Sequence, residues 1–203
     1  MKNIFWPIFL AIILLCSAAL IGYSWLAFQM SLGVAAAREG EFEKASTIFA
    51  LAETPFQTVP WLSQLLRDDY EKLIFDRVNV FFAQGDEEAI AEKFEEAIKN
   101  DPPIKDRGDF AFWTGSLLFR RAAATKDGEE ALDHLKSALA EYQRGLVAVP
   151  EDWDLKYNYE VIRQIFSQKQ RDGKREGERV KSILDKMRPA QEKKQDIAPE
   201  KLG

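Results

Sequence analysis

Apolar residues run without a single charge from Ile4 to Phe28 and then, for most of the remaining chain, recur at helical spacing. The first pattern predicts a membrane-spanning helix over residues 4–28. A hydrocarbon core of roughly 30 Å needs about 20 apolar helical residues rising ~1.5 Å each. Trp6 near one end and Tyr23 and Trp25 near the other are the aromatic rings expected at the headgroup level. The second pattern predicts amphipathic helices. Leu62, Leu65, Leu66, Leu73, Ile74, Val78, Phe81 and Phe82 form one stripe. Phe110, Trp113 and Leu117 with Arg120-Arg121 form a second, and Tyr157, Val161, Ile162, Ile165 and Phe166 a third. Thr54-Pro55, Val59-Pro60, Asp101-Pro102-Pro103, Asp127-Gly128 and Val149-Pro150 are expected as breaks between helices. No stretch alternates with period two for long enough to argue a sheet, so the fold class expected is all-α.

Glycine, acidic residues, alanine and an aromatic recur in order. Gly40 and Ala45 are followed by Phe49 and Ala52. Gly85 and Ala89 are followed by Phe94, Ala97 and Asp101-Pro102. Asp127, Gly128 and Ala131 lead to Ala138, Tyr142 and Pro150. In each, a turn glycine precedes acids that favour a helix N-terminus, and a small residue lets a paired helix approach. This pattern resembles the tetratricopeptide repeat (TPR), a helix–turn–helix unit of ~34 residues that stacks into a solenoid. The resemblance covers roughly residues 33–166, and Gly40, Phe42, Ala45, Phe49 and Ala52 match its spacing best. Tyr157-Asn158 resembles the start of a further unit. The turn glycines lie farther apart than the family period, so the resemblance implies an irregular TPR-like solenoid over 33–168. A charged helical extension is expected over 169–188 and a disordered tail over 189–203.

The single anchor, the irregular repeats and the run from Glu151 to Glu160 also resemble membrane-anchored MxaK-type and Bat-type TPR proteins. These accompany MoxR-type ATPases and von Willebrand factor A proteins. That resemblance implies a role in assembling or maturing an extracytoplasmic enzyme, which for the MxaK type is methanol dehydrogenase.

A cleaved signal peptide is the competing reading of the N-terminus. The apolar run overshoots an h-region of ~7–15 residues, which favours an uncleaved anchor. Lys2 precedes the span, and the far flank is neutral until Arg38, so residues 1–3 are expected in the cytoplasm. The body is then periplasmic, and the location expected is a bacterial inner membrane. Cys16, the one cysteine, lies within the span, which leaves the body no disulfide and no thiol nucleophile.

Charge changes the picture in two ways. Residues 31–168 carry 16 basic and 26 acidic side chains, an unsuitable surface for nucleic acid. Residues 169–203 carry 11 basic and 7 acidic, a tail for solvent, anionic lipid or an acidic partner. Candidate chemistry is sparse. His134 is the only histidine, which leaves zinc-type sites and Ser–His or Cys–His pairs without a second member. Asp68-Asp69, Glu87-Glu88, Glu95-Glu96 and Glu129-Glu130 are adjacent pairs that diverge on a helix, so solvated faces explain them better than a glycosidase pair. Asp101, Asp106 and Asp109 lack calcium-loop spacing. No catalytic residue and no cofactor is expected. Most aromatics, including Trp61, Phe110, Trp113, Tyr142, Trp153 and Tyr157, are expected between helices. Solenoids grip peptides or helices through concave-surface side chains; Arg120, Arg121, Lys156, Asn158 and Arg163 are the candidate partner-binding positions. The function expected is a protein-interaction scaffold. A carboxylate-dependent periplasmic hydrolase and a purely structural membrane-complex subunit are the alternatives.

Overall fold

The computed structural model describes residues 5–187, with side chains over 6–171. Among these residues the chain forms eight α-helices and one 3₁₀ turn, and no strand. The helices are α1 (Phe5–Arg38), α2 (Phe42–Thr58), the single turn α3 (Leu62–Leu65), α4 (Arg67–Gln84), α5 (Glu87–Asn100), α6 (Gly108–Ala124), α7 (Gly128–Ala148) and α8 (Trp153–Met187). Pro102–Asp106 is the 3₁₀ turn. The helices stack as antiparallel pairs: the upper part of α1 with α2, α4 with α5, and α6 with α7, with α8 laid against α7. This is an irregular helical solenoid.

The repeat has a packing basis. Ala45, Phe49 and Ala52 on α2 are buried, as are Ile90, Phe94 and Ala97 on α5 and Ala138, Tyr142 and Gly145 on α7. A buried aromatic thus recurs with small or aliphatic residues four before and three after it, all on one helical face. Two of these aromatics press on glycines of the preceding helix. A Cβ built on Gly33 would lie 2.5 Å from the Phe49 ring, and one on Gly115 would lie 2.8 Å from Tyr142. Each pair therefore closes to a distance that a larger residue forbids.

Turn chemistry marks the same units. Gly40 and Gly85 adopt φ of 79° and 78°, the left-handed region that glycine enters without a Cβ penalty. Gly128 differs from its expected role as a turn glycine: it is the first residue of α7, and Asp127 ahead of it is the cap. The Asp127 carboxylate accepts from the backbone N–H of Glu129 at 2.8 Å, and Asp86 likewise accepts from Ala89 at 3.0 Å. The break expected at Thr54-Pro55 is also absent, because Pro55 lies inside α2. Burial of Phe56 and Ala52 on either side outweighs the one hydrogen bond that the ring removes. The stripe beginning at Leu62 is split between α3 and α4, leaving Leu65 exposed.

One helix carries both the apolar span and the start of the first unit. From Trp6 to Trp25 every α1 side chain is exposed, and the helix is long and apolar enough to cross a membrane. Leu26 is the first buried residue, followed by Met30, Gly33 and Ala36. Charged residues also hold the first two units together. Glu53 of α2 is 1% exposed and meets Arg77 of α4 and Lys93 of α5, the latter at 2.9 Å. α8 continues through the glycines at 173 and 177 as one helix. The tail expected over 189–203 lies outside the described residues.

Candidate protein-binding groove

The first helices of the successive pairs (α1, α4 and α6) lie side by side, and α4 in the middle forms the floor of a groove. Its residues Asp69, Lys72, Asp76, Asn79 and Ala83 follow i, i+3, i+4 spacing and so share one face. Three clefts of about 490, 440 and 220 Å³ run along that face and share residues. The first has Ala27, Met30 and Ser31 of α1 opposite Asp69 and Lys72. The second has Arg38 and Phe42 opposite Asp76, Asn79 and Ala83. The third lies toward α6, with Arg107 and Asp109 beside Asp68, Glu71 and Asp76.

The groove is acidic, and some of its charge is neutralised internally. Lys72 Nζ lies 3.4 Å from Asp76, and Arg107 lies 3.3 Å from Asp68 and also meets Glu71. Asp69 and Asp109 form no ion pair among the described residues. Burial pushes the carboxyls of Glu71, Asp76 and Asp109 above their usual range; nearby Arg107 and Lys72 oppose it at Glu71 and Asp76, and the charge of Asp152 adds to it at Asp109. A carboxyl raised in the folded state favours folding below its unfolded pKa and loses that contribution as pH rises through the folded value. These three therefore oppose folding at neutral pH, a cost that a cationic ligand in the groove would offset. Among the described residues no group of three or more His, Cys, Asp or Glu is placed to hold a metal ion. His134 is half-buried on α7, 3.7 Å from Glu130.

The five candidate partner-binding residues fall on two helices, and each has a contact within the chain. Arg120 of α6 donates from Nη2 to the Phe82 carbonyl at 2.7 Å, with its guanidinium 3.6 Å above the Phe82 ring. Arg121 meets Glu87 of α5 at 2.9 Å. On α8, Lys156 pairs with Glu151 at 3.2 Å, Asn158 donates to the Asp154 carbonyl at 2.7 Å, and Arg163 holds Glu160 with two hydrogen bonds. Arg120 and Arg121 bridge the second and third pairs. Lys156 lines a separate cleft with Leu146, Trp153, Tyr157, Tyr159 and Glu160.

Sequence reasoning placed none of Arg38, Asp69, Lys72, Asp76, Asn79 and Asp109 in a groove; it read Asp69 as part of a solvated pair and Asp109 as lacking calcium-loop spacing. The polar stripe of α4, opposite its Leu73, Ile74 and Val78 core face, was the available signal. Trp61, Trp153 and Tyr157 were expected between helices but are 61%, 79% and 69% exposed. Trp61 and Trp153 sit at the junctions where one pair gives way to the next, and Tyr157 is one turn beyond. No protein-family model matches the chain, and no curated protein or solved structure matches it.

Proposed function

We propose that this protein is a membrane-anchored, non-catalytic scaffold that seats a protein partner in the α4 groove. One observation carries this reading: the continuous groove floored by Asp69, Lys72, Asp76, Asn79 and Ala83 and walled by α1 and α6. Its length and openness suit a helix or an extended peptide better than a small molecule. Asp69 and Asp109, in a groove where acids outnumber the cations Arg38, Lys72 and Arg107, favour a basic segment. Tethering beside the bilayer raises the effective concentration of partners confined to the same membrane.

Within this reading the body is periplasmic, the N-terminus cytoplasmic and the membrane a bacterial inner membrane; Lys2 ahead of the span supports that orientation. The partner is an extracytoplasmic enzyme under assembly, of the methanol dehydrogenase kind, acting with MoxR-type and von Willebrand A-type proteins. Support for this finer role is the resemblance of residues 151–160 and of the anchored-repeat layout.

A photo-crosslinking residue in place of the exposed Asn79 tests the groove, with the same residue at the exposed Glu92 of α5 as control. The expected outcome is a discrete partner captured in cells from position 79 and not from position 92. Equal capture from both, or from neither, overturns the groove assignment. A second reading, a carboxylate-dependent hydrolase, is favoured by the three raised carboxyls Glu71, Asp76 and Asp109 around one cleft. Asp76→Asn and Asp109→Asn would abolish turnover of such an enzyme, whereas a scaffold retains its crosslinks.

A further inference from the structure

The segment joining the first two helix pairs carries a surface that the groove does not use. Between Glu53 and Arg67 the sequence holds no charged residue. Within that run Trp61 is 61% exposed and Leu65 is 66% exposed; among the described residues the α7–α8 junction, with Val147, Trp153 and Tyr157, is the other place on the body where large apolar side chains cluster at the surface. Isolated exposed leucines are ordinary, but a tryptophan and a leucine in one uncharged segment form a patch.

The helical register places this patch along the anchor. Gly33 of α1 lies level with Phe49 of α2, and the two helices run antiparallel. At ~1.5 Å per residue in opposite directions, Phe56 comes level with Leu26 and Thr58 with about Ser24. Leu26 and Phe56 share one buried cluster, which fits this register. The chain then turns through Val59–Leu66 before α4 climbs back alongside α1. Trp61 and Leu65 therefore lie near the level of Tyr23 and Trp25. That level is where α1 ceases to be exposed on every side, although Phe28 and Leu32 stay exposed beyond it: Trp6 to Trp25 is about 20 residues, or roughly 30 Å, the thickness of a hydrocarbon core.

Much of the segment's backbone is paired within the turn. Leu62 N–H donates to the Val59 carbonyl, Ser63 to Pro60, Gln64 and Leu65 to Trp61, and Leu66 to Leu62. The Ser63 hydroxyl adds a bond to the Pro60 carbonyl at 2.7 Å. Pairing these amides within the turn lowers the cost of approaching the bilayer, and the Trp61 amide and the carbonyls of Ser63, Gln64 and Leu65, which have no backbone partner among the described residues, are left to the water of the headgroup region. The next junction, Asp101–Arg107, lacks this character, because Lys105, Asp106 and Arg107 are exposed there.

We propose that Val59–Leu66 is a second membrane contact, a monotopic turn whose Trp61 and Leu65 side chains sit in the headgroup–acyl boundary beside the anchor. This rests on reading α1 as the membrane span. Two attachments in place of one restrict tilting of the body and hold the α1 end of the groove against the bilayer surface.

The test uses the full chain in phospholipid vesicles, with Cys16→Ser removing its only cysteine. Single cysteines at Leu65, at Leu15 in the span and at Gln84 on the opposite edge carry an environment-sensitive fluorophore. Nitroxide lipids labelled high on the acyl chain serve as quenchers. The expected result is a blue shift and loss of emission at position 65, deeper quenching at position 15 and none at position 84. If position 15 is quenched but position 65 is as water-exposed as position 84, the interfacial contact is wrong and the anchor stands. A blue shift at position 65 without lipid quenching means that protein covers the patch, which also overturns the proposal. No quenching at position 15 overturns the anchor reading, and the second contact with it.

Discussion

Glu53 shows how much one side chain can hold. It is buried where α2, α4 and α5 meet, and Arg77 and Lys93 converge on it. Taking a carboxylate out of water costs several kcal/mol unless partners replace the lost hydration. Glu53→Gln would leave Arg77 buried without its counter-charge and Lys93 with Glu96 alone, 2.5 Å away. The expected loss is about 3–5 kcal/mol of stability, the usual consequence of breaking a buried pair from one side. Chemical denaturation of the full chain in detergent measures it; a change below about 1 kcal/mol would show that water relieves the site. This network was hidden in the sequence. Glu53, Arg77 and Lys93 are far apart along the chain; Arg77 and Lys93 sit among other charges that face solvent, and Glu53 is the lone charge between Lys44 and Arg67. Only the stacking of three helices distinguishes them from surface residues.

The helices themselves were far more legible. Spacing of Ala45, Phe49 and Ala52, and its echo around Phe94 and Tyr142, reports a buried face directly, because a 3.6-residue period leaves few other ways to hide those side chains. The acidic residues after Gly40, Gly85 and Asp127 mark helix starts for an electrostatic reason that needs no tertiary context. Pro55 misled because local propensity favours a break, whereas the packing of Phe56 against Tyr70, with ring centroids 5.2 Å apart, carries α2 through it. Pro55→Ala restores an N–H to the Leu51 carbonyl and removes the ring's clash. The melting temperature should rise, with up to about 3 kcal/mol available. A fall would show that the proline shapes α2 to fit α4. Groove residues were less legible still: a polar stripe on α4 reads as a solvated face until α1 and α6 are seen to flank it.

On the scale of the molecule, the buried core forms two clusters: one of the first two pairs, which takes in Leu117 of α6, and one of α6, α7 and α8. Contacts that join the second pair to the third include the Phe94–Phe110 ring pair, with centroids 4.4 Å apart, and Arg120 over Phe82. Arg120 satisfies a carbonyl in the last turn of α4 and stacks its charge on the same residue's ring. Arg120→Ala should cost about 1–2 kcal/mol, expressed mainly as looser seating of the third pair. Hydrogen exchange reads this as faster exchange in α6 and α7 with α1 and α2 unchanged. Uniform acceleration throughout would mean that the solenoid unfolds as one unit.

The uninterrupted α1 sets azimuth as well as height. With no flexible joint between Trp25 and Leu26, the compass direction in which the α4 groove opens is locked to particular lipid-facing residues of the anchor. One residue inserted at that joint would swing the whole body by about 100° around the anchor axis while raising it only about 1.5 Å. A neighbour embedded in the same bilayer could therefore meet the groove from one side only.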